Sequence, residues 1–476
     1  MNRRKFLAVS AVLAASSMSL TRRGFASSHV LWQDQQLSET QLTVLLQSWL
    51  DAFNADNPTS YRAFITKYLP DGLPYIDDDL AVRDASGGFQ LLRSELTSPN
   101  QIIGWVKDRS WDRFSRVMLT AKDAEHLSDI GFRGAPVPPN FSIARLNERD
   151  ALSAFDSRLQ TETAAGRFSG AVLVAKKDRI LFRRGFGMAN LADKTTNNPQ
   201  TRFCIGSMGK MFTAVAILQL VQHNKVTLGD TIARYLPDYP NASFAKKVTI
   251  EQLLTHTGGT GDVFGPKYDG HSEEFTSPAK FIALYGARDL AFEPGSKWYY
   301  SNYGYVLLGA ILESVTGQTF NTYYTENIFR VAGMHSTSQL PSSGDKSAIP
   351  YTGALATGLK PVPPYYGTPA GGGYSTVDDF FAFARAIQSN RLLDPKHTSL
   401  LTTGKIDTGN GFYSLGLVVS SRNGVPCYGH GGSAPGVNGD LTIYPQSGYI
   451  TAVLCNRGYP LALNAAGYIG ARLPAG

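Results

Sequence analysis

The sequence predicts a mixed α/β (α+β) fold: an antiparallel sheet flanked by helices, with a helical subdomain, preceded by a small α+β domain. The chain has 476 residues, which is long for one domain, so two domains are expected. A proline-rich stretch, "RGAPVPPN" at residues 133–140, separates two differently patterned regions. After it, strand patterns lie at both ends and helical patterns lie between them, which indicates one sheet built from both ends of the domain.

The first 28 residues have the pattern of an export signal peptide. A basic start is followed by an apolar stretch from Phe6 to about Leu20 and then by small residues. Arg3 and Arg4 fit the twin-arginine pattern, although ordinary secretion remains the alternative route. A retained membrane anchor is less well supported, because the apolar stretch is shorter than the roughly 20 residues that span a bilayer. We therefore expect a bacterial protein exported to the periplasm or secreted.

Charge and cysteine content argue against two classes of protein. The formal net charge is +7, but five positive charges lie within the first 28 residues, which leaves +2. No later cluster of Lys and Arg is interleaved with aromatic residues, so nucleic-acid binding is not indicated. Three scattered cysteines, Cys204, Cys427 and Cys455, are too few for a disulfide framework or a zinc site. We expect them to be buried as small apolar residues.

Residues 29–138 are predicted to form the small α+β domain. Ser38 and Gln41 form a capping-box pattern, and apolar residues follow at helical spacing. A second helical segment, "TSYRAFITKYL", precedes alternating segments separated by turn residues, which indicates helices followed by a β meander. Residues 139–145 would then form the linker.

Residues 146–476 are predicted to carry the larger sheet. The segment "FSGAVLVAKKDRILFRRGFG" predicts a hairpin that turns around Lys177 and Asp178. Four further strand patterns lie near the C-terminus: "FYSLGLVVSS", "VPCYGHGG", "DLTIYPQ" and "YITAVLCN".

A lysine, Lys210, stands in the apolar segment "CIGSMGKMFTAVAILQL", three residues after Ser207. Residues three apart lie on one face of a helix, so the amine can reach the hydroxyl. Burial lowers the pKa of a lysine from its free value of roughly 10.4, and a lysine that is neutral for part of the time can take a proton from a serine. Ser207 would also lie near a helix N-terminus, where unpaired N–H groups stabilise a developing negative charge.

Three other Ser-x-x-Lys spacings begin at Ser243, Ser277 and Ser343. Ser277 is followed by proline and is typical of a helix cap. Ser243 is predicted to lie in a polar loop and Ser343 in a turn. Only Ser207 precedes a long apolar helix, so we take it as the candidate nucleophile.

A second polar pair, Tyr300 and Asn302, lies in an aromatic loop before the apolar pattern "YGYVLLGAIL". Tyr300 could relay a proton and Asn302 could hold a substrate carbonyl. The alternative is that the tyrosines of this loop only pack together. Tyr239 and Asn241 have the same spacing and are a competing pair.

The third candidate is "YGHGGSAPGVNGD", residues 428–440, between two predicted strands. Its glycines would let a ligand approach the strand backbone closely. His430 would point a titratable ring, with a free pKa of about 6.5, towards that ligand. A histidine beside a glycine turn can also be structural, and this is our interpretation of His256 in "LLTHTGG".

In this order, the three segments resemble the serine β-lactamase and penicillin-binding-protein superfamily. They are most similar to its class C β-lactamase-like branch, with the related family VIII esterases and D-aminopeptidases. The resemblance covers about residues 146–476. It places the family's Ser-x-x-Lys, Tyr-x-Asn and third motifs on Ser207 and Lys210, on Tyr300 and Asn302, and on His430, Gly431 and Gly432.

The resemblance implies that Ser207 is the acylated nucleophile and that Lys210 and Tyr300 share the proton transfers. It also implies an oxyanion hole formed by the N–H groups of Ser207 and Ser433, and contact between Asn302 and the carbonyl side of the substrate. His430, Gly431 and Gly432 would complete the substrate-binding side. Such a site requires no metal or cofactor and acts on a small-molecule ester, amide or peptide.

The third motif leaves the substrate class open. The third motif of true β-lactamases usually begins with lysine, whose charge binds the antibiotic's carboxylate, whereas His430 is mostly neutral at pH 7. We therefore expect an exported esterase with weak or no β-lactamase activity. The alternatives are a D-amino-acid peptidase or carboxypeptidase, a class C β-lactamase and a non-catalytic cell-wall-binding protein. The N-terminal domain is similar to NTF2-like domains, and it could serve in packing, in dimerisation or in lining the cleft.

Overall fold

The computed structural model describes residues 38–123, 125–264, 268, 274–341 and 347–476. The proposed export signal, residues 1–28, lies outside the described residues. Within the ranges described, no helix is both long enough and apolar enough to cross a membrane.

The N-terminal unit packs three helices against a four-stranded antiparallel sheet. The predicted capping box is present: the Ser38 hydroxyl accepts the Gln41 N–H, and the Gln41 side chain accepts the Ser38 N–H. The helices are α1 (Glu39–Asn54), α2 (Pro58–Tyr68) and α3 (Ile76–Ser86). The strands, in sheet order, are β1 (Phe89–Ser98), β2 (Gln101–Asp108), β3 (Phe114–Ala121) and β4 (Leu127–Ala135).

The last strand of this unit ends within the proline-rich stretch. The first residues of the proline-rich stretch belong to β4, because the strand pairs with β3 as far as Ala135 opposite Phe114. The strand ends before Pro136, which has no N–H to contribute to the ladder. Glu148 then begins the next helix, capped by the side chain of Asn147.

The larger unit is built on an eight-stranded antiparallel sheet. The described strands of the whole unit, including those outside the main sheet, are in chain order β5 (Gly170–Lys176), β6 (Arg179–Phe186), β7 (Met188–Asn190), β8 (Thr195–Thr196), β9 (Phe203–Cys204), β10 (Tyr351–Thr352), β11 (Lys360–Pro361), β12 (Tyr374–Ser375), β13 (Ile406–Asp407), β14 (Phe412–Tyr413), β15 (Val418–Arg422), β16 (Val425–Ala434), β17 (Val437–Ile443) and β18 (Tyr449–Cys455). The order in the main sheet is β13-β14-β15-β16-β17-β18-β5-β6, and six of the short strands form separate pairs. Since β18 pairs with β5, the two ends of the domain meet in one sheet, and the predicted fold class is confirmed.

Helices cover both faces of this sheet. They are α4 (Glu148–Ala164), α5 (Lys210–Gln222), α6 (Ile232–Tyr235), α7 (Ala242–Lys247), α8 (Ile250–Leu254), α9 (Pro278–Tyr285), α10 (Asn302–Thr316), α11 (Phe320–Tyr324), α12 (Arg330–Ala332), α13 (Val377–Gln388), α14 (Pro395–Thr402) and α15 (Leu461–Arg472). On β5, Leu173 packs into the core that contains α5, whereas Val172 and Val174 pack into the core that contains α4 and α15. Both faces are therefore buried, which explains why this strand is almost continuously apolar.

The three cysteines are buried and unpaired, as the sequence predicts. The N-terminal unit docks on the face of the sheet that α15 covers. There the ring of Trp111 lies 6.1 Å from the rings of Phe168 and Tyr468, and Arg113 Nη1 donates to Asn464 Oδ1 at 2.6 Å. Helix α5, which begins beside Ser207, lies on the other face. Among the three roles considered for this unit, the described contacts show packing.

Candidate active site

Ser207 lies in a tight 3-10 turn, Gly206–Gly209, that leads directly into α5. Gly206 has a φ of +51°, a left-handed conformation that strains other residues. Strand β16 packs so closely on this turn that a Cβ on Gly432 would lie 1.9 Å from the Ile205 carbonyl oxygen. The two glycines thus let the nucleophile's turn and β16 touch, while the Ser207 side chain stays partly exposed.

The amine of Lys210 is fully buried and has three acceptors around it. Nζ donates to Ser207 Oγ at 3.2 Å, to Asn302 Oδ1 at 2.6 Å and to the Ala370 carbonyl at 2.5 Å. An ammonium group has three donors, so the charged form is satisfied. A neutral amine keeps two of these bonds and has one lone pair left, which can face the Ser207 hydroxyl.

Burial lowers the pKa of Lys210 to about 7, and the negative charge of Asp262 opposes this shift. A substantial fraction of the amine is therefore neutral near pH 7. The residues on α5 explain the burial, because the side chains from Lys210 to Leu220 are buried around the whole helix. An amine held in this way can accept the proton of Ser207 as the hydroxyl attacks.

Tyr300 covers the other side of the Lys210–Ser207 pair. Its hydroxyl interacts with the Ser207 side chain, and its ring centroid lies 4.8 Å from Lys210 Nζ. Burial raises the pKa of Tyr300 far above its ordinary value, and the hydrogen bond with Ser207 only partly offsets this. The phenol therefore stays protonated at neutral pH, and it can relay a proton only by accepting one as it gives one away.

Asn302 is the first residue of α10, whose N-cap Ser301 accepts the Gly304 N–H. Both ends of its side-chain amide have partners: Oδ1 accepts from Lys210, and Nδ2 donates to Asp262 Oδ2 at 3.2 Å. The structure thus places Asn302 between the amine and a carboxylate, where its Oδ1 adjoins the reacting pair.

His430 lies buried within the candidate active site, near Lys210. Only 2% of the residue's surface is exposed, and its contact with a ligand stays a prediction. Nδ1 lies 2.5 Å from the Gly431 carbonyl, which can only accept, and Nε2 lies 3.1 Å from the hydroxyl of Tyr413. Burial and the nearby charge of Lys210 lower the pKa of His430 to about 3, so the ring is neutral. The ring packs near Lys210 and carries no charge for a substrate.

The backbone of β16 supplies the open side of the site. Pairing with β15 ends at Gly429, and beyond that point β16 faces the turn that carries Ser207. The Ser433 nitrogen lies 2.9 Å from the position of a Cβ on Gly206. The structure thus packs Gly432 and Ser433 against the turn that carries Ser207. An oxyanion hole formed by the N–H groups of Ser207 and Ser433 requires such a close approach.

The competing candidates lie elsewhere or have other roles. Ser243 is exposed in the short helix α7 rather than in the predicted loop, because Asn241 caps that helix. Ser277 stands at the N-cap position of α9, as predicted. The Ser343 pattern lies outside the described residues. Tyr239 is buried against Tyr303 through a hydroxyl contact of 3.0 Å.

His256 is buried within a cluster of aromatic rings, which agrees with its structural interpretation. Its ring centroid lies 4.2 Å from that of Tyr300 and 4.6 Å from that of Tyr413, and its Nδ1 accepts the Ser301 N–H. Burial keeps the pKa of His256 well below its ordinary value. The neutral imidazole therefore supports the Tyr300 ring and the start of α10.

Sequence reasoning missed Asp262, Ala370 and Tyr413. Each reaches the site through a long-range contact, with no local spacing to mark it. Asp262 lies in a glycine-containing loop after "LLTHTGG", and this loop position is its only sequence signal.

Comparisons with known proteins concern the family and the fold of the larger unit. Residues 155–473 match the Beta-lactamase family. "Putative penicillin-binding protein PbpX" of Bacillus subtilis is 30% identical over 297 residues, which are 60% of this chain and 70% of the relative.

Two solved structures are similar in fold. The crystal structure of a penicillin binding protein from Bacillus halodurans is 30% identical, with a TM-score of 0.59, covering 65% of this chain and 98% of the other. That of a D-stereospecific amidohydrolase from Streptomyces sp. is 26% identical, with a TM-score of 0.57, covering 67% and 98%. Because the family match spans more than half of the chain and the larger unit has the corresponding fold, this protein belongs to the Beta-lactamase family, whose members are serine hydrolases.

Proposed function

We propose that this protein is an exported esterase that acts through an acyl-enzyme on Ser207. The observation that carries the proposal is the buried amine of Lys210, 3.2 Å from the Ser207 hydroxyl and with a pKa lowered to about 7. A serine beside such an amine is activated at neutral pH, as nucleophilic catalysis requires.

The reaction has two halves. Neutral Lys210 takes the Ser207 proton as Oγ attacks the ester carbonyl, and the N–H groups of Ser207 and Ser433 stabilise the resulting oxyanion. The C–O bond to the leaving group then breaks, and the Lys210 ammonium returns the proton to the departing alkoxide, directly or through Tyr300. Water next attacks the acyl-enzyme, gives a proton to the same base and releases the carboxylic acid with Ser207 restored.

The neutral state of His430 supports esters over penicillins. A penicillin carries a carboxylate, and a buried imidazole whose pKa lies near 3 offers it no positive charge. A simple ester needs no such contact. The preference therefore follows from the third motif rather than from the nucleophile.

Hydrolysis of D-amino-acid amides is the second candidate. The similarity to the Streptomyces D-stereospecific amidohydrolase, which covers 98% of that chain, favours it. The same acyl-enzyme chemistry would cleave an amide, since only the leaving group changes. The substrate ranking must therefore include such amides.

Labelling tests the nucleophile. After incubation with a fluorophosphonate, mass spectrometry should find one adduct, on Ser207, that is absent from the Ser207→Ala variant. Ser243→Ala is a matched control, because Ser243 has the same spacing to a lysine but is exposed on α7. No adduct in the wild-type protein would support a non-catalytic binding protein instead.

Substrate ranking tests the specificity. Turnover of p-nitrophenyl acetate and butyrate should exceed turnover of nitrocefin and of D-alanyl p-nitroanilide. Faster nitrocefin cleavage would favour a β-lactamase, and faster cleavage of the D-alanyl amide would favour the second candidate.

Export is tested separately. Cell fractionation should find the mature protein outside the cytoplasm, and replacement of both Arg3 and Arg4 by lysine should retain it inside if the twin-arginine route is used. Unchanged export of that variant would indicate ordinary secretion.

A further inference from the structure

The carboxylate of Asp262 is bonded to the first residue of α10 in two places. Oδ1 accepts the Asn302 backbone N–H at 3.0 Å, and Oδ2 accepts the Asn302 side-chain Nδ2 at 3.2 Å. Oδ1 also accepts the Val263 N–H at 2.8 Å. One carboxylate thus accepts hydrogen bonds from both the backbone N–H and the side-chain amide of Asn302.

The loop that carries Asp262 is fixed independently of this amide. Arg288 Nη1 donates to the Asp262 carbonyl at 2.7 Å, and its guanidinium lies 4.3 Å from the ring centroid of Tyr285. The Ser301 hydroxyl donates to the neighbouring Gly261 carbonyl. Because the loop is held on both sides, the carboxylate sets the position of Asn302 and does not merely follow it.

The chemistry of the amide then decides which way it faces. An ionised carboxylate only accepts hydrogen bonds, so the NH2 end of Asn302 must face Asp262. The carbonyl end is left for the Lys210 amine, which lies 2.6 Å away. If the amide were reversed, its NH2 group would face the Lys210 amine, and two hydrogen-bond donors would then oppose each other.

We propose that Asp262 is a positioning residue of the hydrolytic site, which holds the Asn302 amide with its carbonyl towards Lys210. This inference rests on the proposed function, because it concerns the same acyl-enzyme site. Asp262 acts through Asn302 and does not itself touch the reacting atoms.

The charge of Asp262 adds a second effect at the amine. Its negative charge favours protonated Lys210, while burial favours the neutral form. Burial in turn raises the pKa of the Asp262 carboxyl, and the hydrogen bonds from Val263 and Asn302 act against this. Among the described residues, the other titratable groups near Lys210 are Tyr300, Tyr305, His256 and His430.

The first test replaces Asp262 by asparagine, which has the same shape but no charge. The NH2 group of the new side chain competes with that of Asn302, so kcat/KM for p-nitrophenyl butyrate should fall at least about tenfold. Loss of the negative charge lowers the pKa of Lys210, so the acidic limb of the pH–rate profile should move to lower pH. Asp238, whose side chain is exposed, provides the control. Asp238→Asn should change neither kcat/KM nor the position of the acidic limb.

A double-mutant cycle separates positioning from a general structural role. If Asp262 positions the Asn302 amide, then Asp262→Asn should cost little more kcat/KM in an Asn302→Ala background. This comparison is made on the alkaline plateau of the pH–rate profile, where Lys210 is neutral in every variant and the charge effect of Asp262 on its pKa no longer matters. Circular dichroism and thermal melting check that each variant is folded. If Asp262→Asn does not fold, Asp262→Ser serves as a second variant. Additive losses, or wild-type kcat/KM with an unmoved acidic limb, would overturn the inference.

The wild-type control distinguishes this failure from failure of the proposed function. Wild-type protein that is labelled on Ser207 and hydrolyses the ester, together with an unaffected Asp262→Asn variant, refutes only the role of Asp262. Wild-type protein with neither property refutes the proposed function and this inference together.

Discussion

Lys210 Nζ and Asn302 Oδ1 lie 2.6 Å apart, although 92 residues separate them in the chain. This contact joins the head of α5 to the head of α10 directly beside Ser207. It joins two of the three sequence motifs by a hydrogen bond. It also holds the Lys210 amine in an orientation from which it contacts the hydroxyl of Ser207. The first predictions concern Lys210.

Replacing Lys210 by methionine should abolish ester hydrolysis while the fold is retained. Methionine has a similar length and suits a buried site, but it cannot accept the Ser207 proton, so kcat should fall about 10²–10⁴-fold. Initial rates with p-nitrophenyl butyrate give the measurement. Lys246→Met is the matched control, because Lys246 follows Ser243 at the same spacing but is exposed. Near-normal turnover of Lys210→Met would show that another residue is the base.

The pH dependence of kcat/KM should report the titration of Lys210. The base must be neutral, and burial lowers its pKa to about 7. The rate should therefore be low at pH 5, rise about tenfold per pH unit below the pKa, and level off above it. Stopped-flow measurement of acylation across pH 5–9 tests this. A flat profile over that range would contradict the assignment of Lys210 as the titrating group.

Replacing Tyr413 by phenylalanine should destabilise the protein through His430. The Tyr413 hydroxyl lies 3.1 Å from Nε2 of a buried imidazole, and its loss leaves that nitrogen without this partner. An unsatisfied buried polar group costs about 1–3 kcal/mol, so the urea midpoint should fall. Tyr366→Phe is the control, because Tyr366 is 40% exposed. Equal midpoints for the two variants would mean that the contact contributes nothing.

Replacing Gly432 by alanine should impair acylation more than substrate binding. The added Cβ would lie 1.9 Å from the Ile205 carbonyl oxygen, so β16 must move away from the turn that carries Ser207. The displaced N–H of Ser433 would then stabilise the oxyanion poorly, at a cost of about 10²-fold in kcat. Gly467→Ala on α15 is the control, since nothing lies within 4 Å of its Cβ position. A change in KM alone would argue against the oxyanion role.

The sequence predicts those parts of the site that depend on local spacing. Ser207 and Lys210 are three residues apart, and the apolar residues after them identify a buried helix, so their proximity follows from helical geometry. The capping box at Ser38 and the hairpin at Lys177 are local in the same sense. Each of these interactions joins residues only a few positions apart, so the spacing in the sequence predicts it.

The remaining parts depend on contacts that only the fold creates. The Ala370 carbonyl meets Lys210 across 160 residues, and the Asp262 carboxylate meets Asn302 across 40. The buried ring of His430 contacts Tyr413, which belongs to a different strand. No spacing rule predicts these contacts, because each is set by the packing of separate elements.

The pairing of β18 with β5 sets the order in which the parts of the proposed site become available during synthesis. A ribosome reaches β16 and β18 more than 200 residues after the Ser207 turn, so a growing chain already contains Ser207, Lys210 and Asn302 while the strand that carries Ser433 is still missing. Such a chain contains the candidate nucleophile but lacks one of the two N–H groups of the proposed oxyanion hole. The proposed oxyanion hole can therefore form only after β16 has been synthesised and has packed against the turn that carries Ser207.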